Sequence, residues 1–115
     1  DIYACLDSDN QAYFRTSREK RFGRPLEEVM IGRNENRDKF RRSLTPLRLI
    51  LEKTPYLSGA APHWFDYAVF GTLMWPHVVS SYALLAEDDP LYAWRERMFD
   101  LFDGAPRAAQ RACGA

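Results

Sequence analysis

The chain has only two cysteines and two histidines in 115 residues, and its formal net charge is zero. Each scarcity excludes something. Cys5 and Cys113 stand near opposite ends with no CxxC pair and no Cys/His cluster, so neither a disulfide framework nor a zinc site is supported. Free thiols in a reducing compartment are the simplest reading; one bridge is the alternative. Nothing near either cysteine in sequence lowers a thiol pKa, which argues against a nucleophile. His63 and His77 are fourteen residues apart with no paired carboxylate, so no metal site and no catalytic acid–base pair is indicated. Sixteen basic against sixteen acidic side chains give no general pull toward nucleic acid or an anionic membrane.

The charge is mildly uneven. Residues 1–53 carry 12 basic and 9 acidic side chains, and residues 54–115 carry 4 and 7. Arg15, Arg18, Lys20, Arg21 and Arg24 form a local basic group relieved by Glu19. Without a nucleic-acid fold signature it reads as a solvated face or an interdomain contact. The chain also lacks an initiating Met, a signal peptide and a basic transit segment, so it is expected to be one domain taken from a longer, cytoplasmic protein.

What is plentiful is apolar and aromatic: 46% hydrophobic residues and 14% aromatics, enough for a packed globule of one domain. No alternating strand pattern of useful length occurs, and the class expected is all-α. Asp9 is placed to cap a helix through NQAYFRTSREKRF, with Gly23 ending it in the left-handed conformation. Pro25 restarts the chain as a first-turn proline before LEEV. Phe40, Leu44, Leu47 and Leu51 then recur at spacings of four, three and four. Pro46 interrupts that run, by a kink or by a restart capped by Ser43 or Thr45. Asp89 caps and Pro90 opens a last amphipathic helix carrying Leu91, Trp94, Met98 and Leu101, stopped by Gly104 and Pro106. Residues 107–115 form a short last helix or a tail.

Between these lies the stretch that organises the chain, YLSGAAPHWFDYAVFGTLMWPHVVSSYALL, residues 56–85. From Tyr67 to Ala86 it runs twenty residues without a formal charge, close to the length of a bilayer span. Its flanks are acidic rather than basic, its second half carries Pro76, His77, Ser80 and Ser81, and its neighbours are amphipathic helices. A buried central helix, about 63–80, is therefore expected instead of a membrane span. With His63 at the cap, Asp66 falls at the third helical position and accepts from the cap residue's N–H, the acidic half of a capping box. Trp64, Trp75 and Trp94 all read as core.

These residues resemble the C-terminal helical domain of glutathione transferases. YLSG, AAP and HWFDYAVFG follow that family's order of apolar pair, glycine, turn and capping box opening a buried helix. DNQAYFRTSREKRFG and DPLYAWRERMFDLFDG are similar to its first and late helices, and the wording is nearest to members of the β-etherase-like kind. The family has Ser or Thr where this chain has His63, and Pro76 falls inside a helix that should be continuous, so a kink or early end near Met74–Trp75 is expected.

The resemblance implies a bundle of about five helices around the central one. It implies a thioredoxin-like N-terminal domain as partner, binding glutathione and supplying the catalytic residue, so no catalytic residue is expected in this chain. It also implies a small hydrophobic co-substrate and a homodimer. Tyr13, Phe14 and Arg18 fall where the family lines its co-substrate cleft, with packing against another domain or subunit as the alternative. Asp7 and Asp9 are candidates to reach the glutathione amine, although plain helix capping also accounts for Asp9. A non-catalytic interaction module and a truncated remnant of the same fold remain open beside the enzyme.

Overall fold

A computed structural model describes residues 1–112. Seven helices follow one another: α1 Ser8–Phe22, α2 Leu26–Val29, α3 Arg33–Ser43, α4 Thr45–Leu51, α5 Trp64–Val79, α6 Pro90–Phe99 and α7 Leu101–Gly104. Short 3-10 turns flank them at Tyr3–Cys5 and Ala105–Ala108. Among the described residues there is no β-strand, only an isolated bridge between Tyr56 and Gly59. The all-α expectation holds. No described helix is long and apolar enough to cross a membrane.

Each boundary has a local cause. Asp7, not Asp9, caps α1: its extended backbone places the carboxylate on the N–H of Asn10 at 2.9 Å, and the helix starts at Ser8. Asp9 sits exposed in the first turn. Gly23, at φ 69°, ends the helix as expected. Pro25 occupies the cap position of α2 instead of its first turn. The break at Pro46 is a restart, since α3 ends at Ser43 and α4 begins at Thr45. Neither hydroxyl caps that restart. Ser43 donates back to the Phe40 carbonyl and Thr45 to that of Arg42, closing the end of α3.

The core is built from Leu57, Phe70, Leu73, Leu85, Leu91, Trp94, Met98 and Phe99, with Phe40, Leu44, Leu47 and Leu51 packed against it. Phe70 meets Phe99 and Trp94 edge-on, at ring distances of 5.1 and 6.4 Å. This joins α5 to α6. Arg48 joins α4 to the start of α6 by gripping Asp89, the cap of α6, through Nε at 3.0 Å and Nη2 at 2.6 Å. Arg41 holds the segment between α5 and α6 by donating to the carbonyls of Ala83 and Leu84.

α5 passes through Pro76 without an early end. The carbonyl left without its donor belongs to Thr72, which is exposed, so water can satisfy it. Its burial also differs from the expectation: Asp66, Phe70 and Leu73 face the core, whereas Trp64 is 80% exposed and Trp75 62% exposed. Of the three tryptophans only Trp94 is core. Val69 and Met74 pack against the core from its flanks and Tyr67 stacks on Phe102, while Trp64, Ala68, Gly71 and Trp75 stay exposed.

The start of α5 is held from several sides. Tyr56 and Gly59 exchange backbone hydrogen bonds at 3.1 Å, forming a tight loop with Gly59 at φ 120°. That loop aims the N–H groups of Leu57 and Ser58 at Asp66, at 2.7 and 3.0 Å. The His63 N–H adds the capping-box bond at 3.2 Å, and the Trp94 indole donates at 2.9 Å. Asp66 thus supplies the acidic half of the capping box, and the His63 side chain adds no cap hydrogen bond. Burial alone raises the carboxyl pKa of Asp66, but bonds from Ser58, Trp94, His63 and Leu57 outweigh it and hold the pKa below the ordinary value.

Candidate functional site

An apolar cleft of about 600 Å³ opens between α1, α2 and the end of α5. Phe14, Arg18 and Phe22 from α1 form one side, and Val29 at the end of α2 with Met30 just after it another. Trp75 and Val79 bring in the C-terminal half of α5. The sequence explains why these walls stand apart. α1 has few apolar residues and is tied down mainly by polar contacts: Arg15 pairs with Glu19 and Glu27, both at 2.8 Å, and Glu19 accepts the Leu26 N–H. A helix held in this way leaves its few aromatics free to line a space.

Of Tyr13, Phe14 and Arg18, the last two line this cleft. Phe14 and Arg18, four apart on α1, share the face turned to the cleft, and the guanidinium of Arg18 lies 5.0 Å from the Phe14 ring centroid. Tyr13 does not line the cleft and is 74% exposed. It is one residue from Phe14, and successive helical side chains point about 100° apart. Asp7 and Asp9 also lie outside the lining. The carboxyl pKa of Asp7 is lowered by the backbone and side-chain hydrogen bonds from Asn10.

The cleft holds two cations in different states. Arg33 is paired with Asp1 and lies 3.7 Å from the Tyr82 ring centroid. Arg18 has no acidic partner among the described residues. Its charge is the uncommitted one. The lining contains no histidine and no cysteine, and Asp1, its one carboxylate, is engaged by Arg33 and Ser80. Such a surface can bind and orient an apolar molecule that has an electron-rich or anionic end. Among the described residues no three His, Cys, Asp or Glu side chains are grouped to hold a metal ion.

Residues 1–88 match the family model described as glutathione S-transferase, C-terminal domain. The chain belongs to that family. The match takes in α1 to α5, the Tyr56–Gly59 loop, the Asp66 cap and every residue lining the cleft. In a glutathione transferase C-terminal domain the resemblance placed Tyr13, Phe14 and Arg18 together; the geometry unites only the last two. It also adds Trp75, Tyr82 and Met30, which sequence reasoning missed. Trp75 had a readable signal, an aromatic just before a proline near the end of a charge-poor helix. Tyr82 had none, because its place depends on Arg33 from a distant part of the chain.

Cys5 is not a free thiol, contrary to the simplest sequence reading. Cys113 lies outside the described residues, as does the end of the expected tail.

Proposed function

We propose that this domain supplies the co-substrate wall of a working glutathione transferase. The observation that carries this reading is the apolar cleft of about 600 Å³ with Phe14 and unpaired Arg18 on one wall and Trp75 on another. Its size falls in the range of small-molecule sites. The substrate class is a small hydrophobic electrophile or ether, to which the whole protein transfers glutathione or which it cleaves with glutathione. The β-etherase-like subgroup is the finer proposal, and a detoxifying role in the cytoplasm fits either chemistry.

In this reading a thioredoxin-like N-terminal domain is the partner. It binds glutathione, provides the catalytic residue and leaves residues 1–115 non-catalytic by themselves. Trp64, Ala68, Gly71 and Trp75 recur along α5 at spacings of four, three and four, forming an exposed stripe suited to a covering domain. Asp7 and Asp9, exposed at the start of α1, suit the glutathione amine of a neighbouring subunit in a homodimer. The test is glutathione-dependent turnover of the full-length protein with an aryl halide and an aryl ether. Turnover that weakens when Phe14→Ala or Trp75→Ala opens the cleft supports the proposal. Absence of both turnover and glutathione binding overturns it.

One observation favours a second reading, a non-catalytic interaction module: Tyr67 and Phe102 stack at 6.2 Å beside exposed Trp64. An aromatic group of this kind suits a protein partner. Stable assembly without any glutathione binding would decide for the module.

A further inference from the structure

A second cavity, of about 210 Å³, lies between the end of α5, the segment 80–87 and α6. Pro76, Ser80, Tyr82 and Leu84 line both this cavity and the apolar cleft and form the wall between them. The chemistry on the two sides differs. The cleft is nearly all apolar, whereas the smaller cavity brings Arg95, Arg111 and His77 against Leu73, Leu84 and Leu85.

Among the described residues the guanidiniums here are short of carboxylates. Glu96 is shared between Arg95, at 3.1 Å, and Arg107, at 3.0 Å, and Arg107 takes Asp100 as well. Arg95 is therefore left with part of one carboxylate, and its Nε–H is buried with no partner. Among the described residues Arg111 donates to the carbonyls of His77 and Ser80 alone, at 3.2 and 3.5 Å. Arg95 is held in place by the rings of Tyr92 and Phe99, at 4.5 and 5.7 Å. Glu87 is the one acid in the lining, and it is exposed, where water weakens its pull on the cations.

We propose that this cavity binds a small organic carboxylate, its oxygens between Arg95 and Arg111 and its apolar body against Leu73, Leu84 and Leu85. Arginine forks suit a carboxylate geometrically, and partial desolvation strengthens the pairing. The half-apolar lining favours an organic acid over phosphate, which would leave the leucine wall unused. Size agrees, since an apolar cavity of about 150 Å³ already accepts benzene. The proposal is independent of the cleft's function.

His77 reports on occupancy. Burial, followed by Arg111 and Arg95, lowers its pKa; Glu96 raises it and Arg107 lowers it further. These are the charged groups facing it from α6, the turn after it and the tail. A carboxylate between the two arginines favours the imidazolium, so binding must raise the His77 titration midpoint.

The test is NMR of the His77 ring protons in the full-length protein, titrated with benzoate, with benzamide as the neutral isostere and phosphate as the inorganic anion. Saturable shifts with benzoate, a raised His77 midpoint and at least tenfold weaker binding in Arg95→Gln support the proposal. Arg111→Gln, on an exposed residue, gives the same weakening and keeps the test decisive if Arg95→Gln fails to fold. No saturation, equal response to benzamide, preference for phosphate, or unchanged affinity in Arg111→Gln overturns it.

Discussion

The indole N–H of Trp94 donates to Oδ1 of Asp66 at 2.9 Å, and both side chains are completely buried. One carboxylate thus fixes the N-terminus of α5, the loop at Leu57–Ser58 and the middle of α6. Removing it strands four buried or half-buried donors. Asp66→Ala is expected to cost at least about 3 kcal/mol, because hydrogen bonds to a charged acceptor contribute about 1.5–3 kcal/mol each and orphaned donors add a penalty. Asp66→Asn should recover little, since its amide group meets N–H donors on at least one side. Trp94→Phe removes one of the four bonds and should cost clearly less than Asp66→Ala. Chemical denaturation of the three variants checks that order; a neutral Asp66→Ala would refute the account.

Some of this was readable beforehand. The capping role of Asp66 follows from its distance to His63, and the apolar periods of α3, α4 and α6 follow from local spacing. Asp89 and Pro90 opening α6 were likewise plain, because a helix start is specified within a few residues. What could not be read depends on residues far apart: Trp94 is 28 positions from Asp66, and Arg48 is 41 from Asp89. Arg41 and Arg48 each bridge to the segment before or at α6, a contact that no local pattern signals. The exposure of Trp64 and Trp75 was misread for another reason. A helix that is apolar all round implies cover on every side, but sequence does not say whether that cover belongs to the same chain. In the candidate site, the resemblance pointed to α1, and the helical turn decides that Phe14 and Arg18 line the cleft while Tyr13 does not.

The pair Arg48–Asp89 sets a pH dependence. Burial raises the Asp89 pKa, but the bonds from Arg48 and the Leu91 N–H, with the nearby charge of Arg41, bring it below the ordinary value. A carboxylate depressed in the folded state contributes stability that is present above its unfolded pKa, about 3.9, and lost as pH falls through the folded value. Asp66 acts in the same direction. Melting temperature should therefore be insensitive to these groups near neutral pH and fall below about pH 4. Arg48→Met leaves Asp89 buried without its countercharge and should cost about 3 kcal/mol near neutrality. Its acid loss should begin at higher pH, because the Asp89 pKa rises once the arginine is gone. Thermal melts from pH 3 to 7 on both proteins check the sign.

Arg18 is the free charge of the apolar cleft, so it should matter for anionic ligands alone. Binding of the anionic dye anilinonaphthalene sulfonate is expected to weaken roughly fivefold in Arg18→Ala, about 1 kcal/mol for a half-exposed charge pair. A neutral dye of similar size should bind unchanged. Phe14→Ala should weaken both, since it removes apolar wall. Tyr13→Ala should weaken neither, because Tyr13 points out of the cleft. Equal sensitivity to Tyr13 and Phe14 would contradict the face assigned to α1.

The exposed stripe on α5 makes the last prediction. Gly71 lies between Trp64 and Trp75 on that stripe, and a Cβ added there meets nothing within 4 Å. In a solvent-facing helix interior, glycine costs roughly 0.5–1 kcal/mol relative to alanine. Gly71→Ala should therefore raise the stability of residues 1–115 by about that amount. Gly71→Arg should be tolerated equally well in the same chain, because open space accepts the side chain and its charge. If a thioredoxin-like domain covers the stripe in the full-length protein, the arginine is forced into that contact, and the outcome reverses there. Gly71→Arg should then lower the melting temperature of the full-length protein or split its transition in two, while leaving the helical domain alone intact. Melting both forms of the variant by calorimetry separates the cases, and the same response in both would mean that nothing docks on this face.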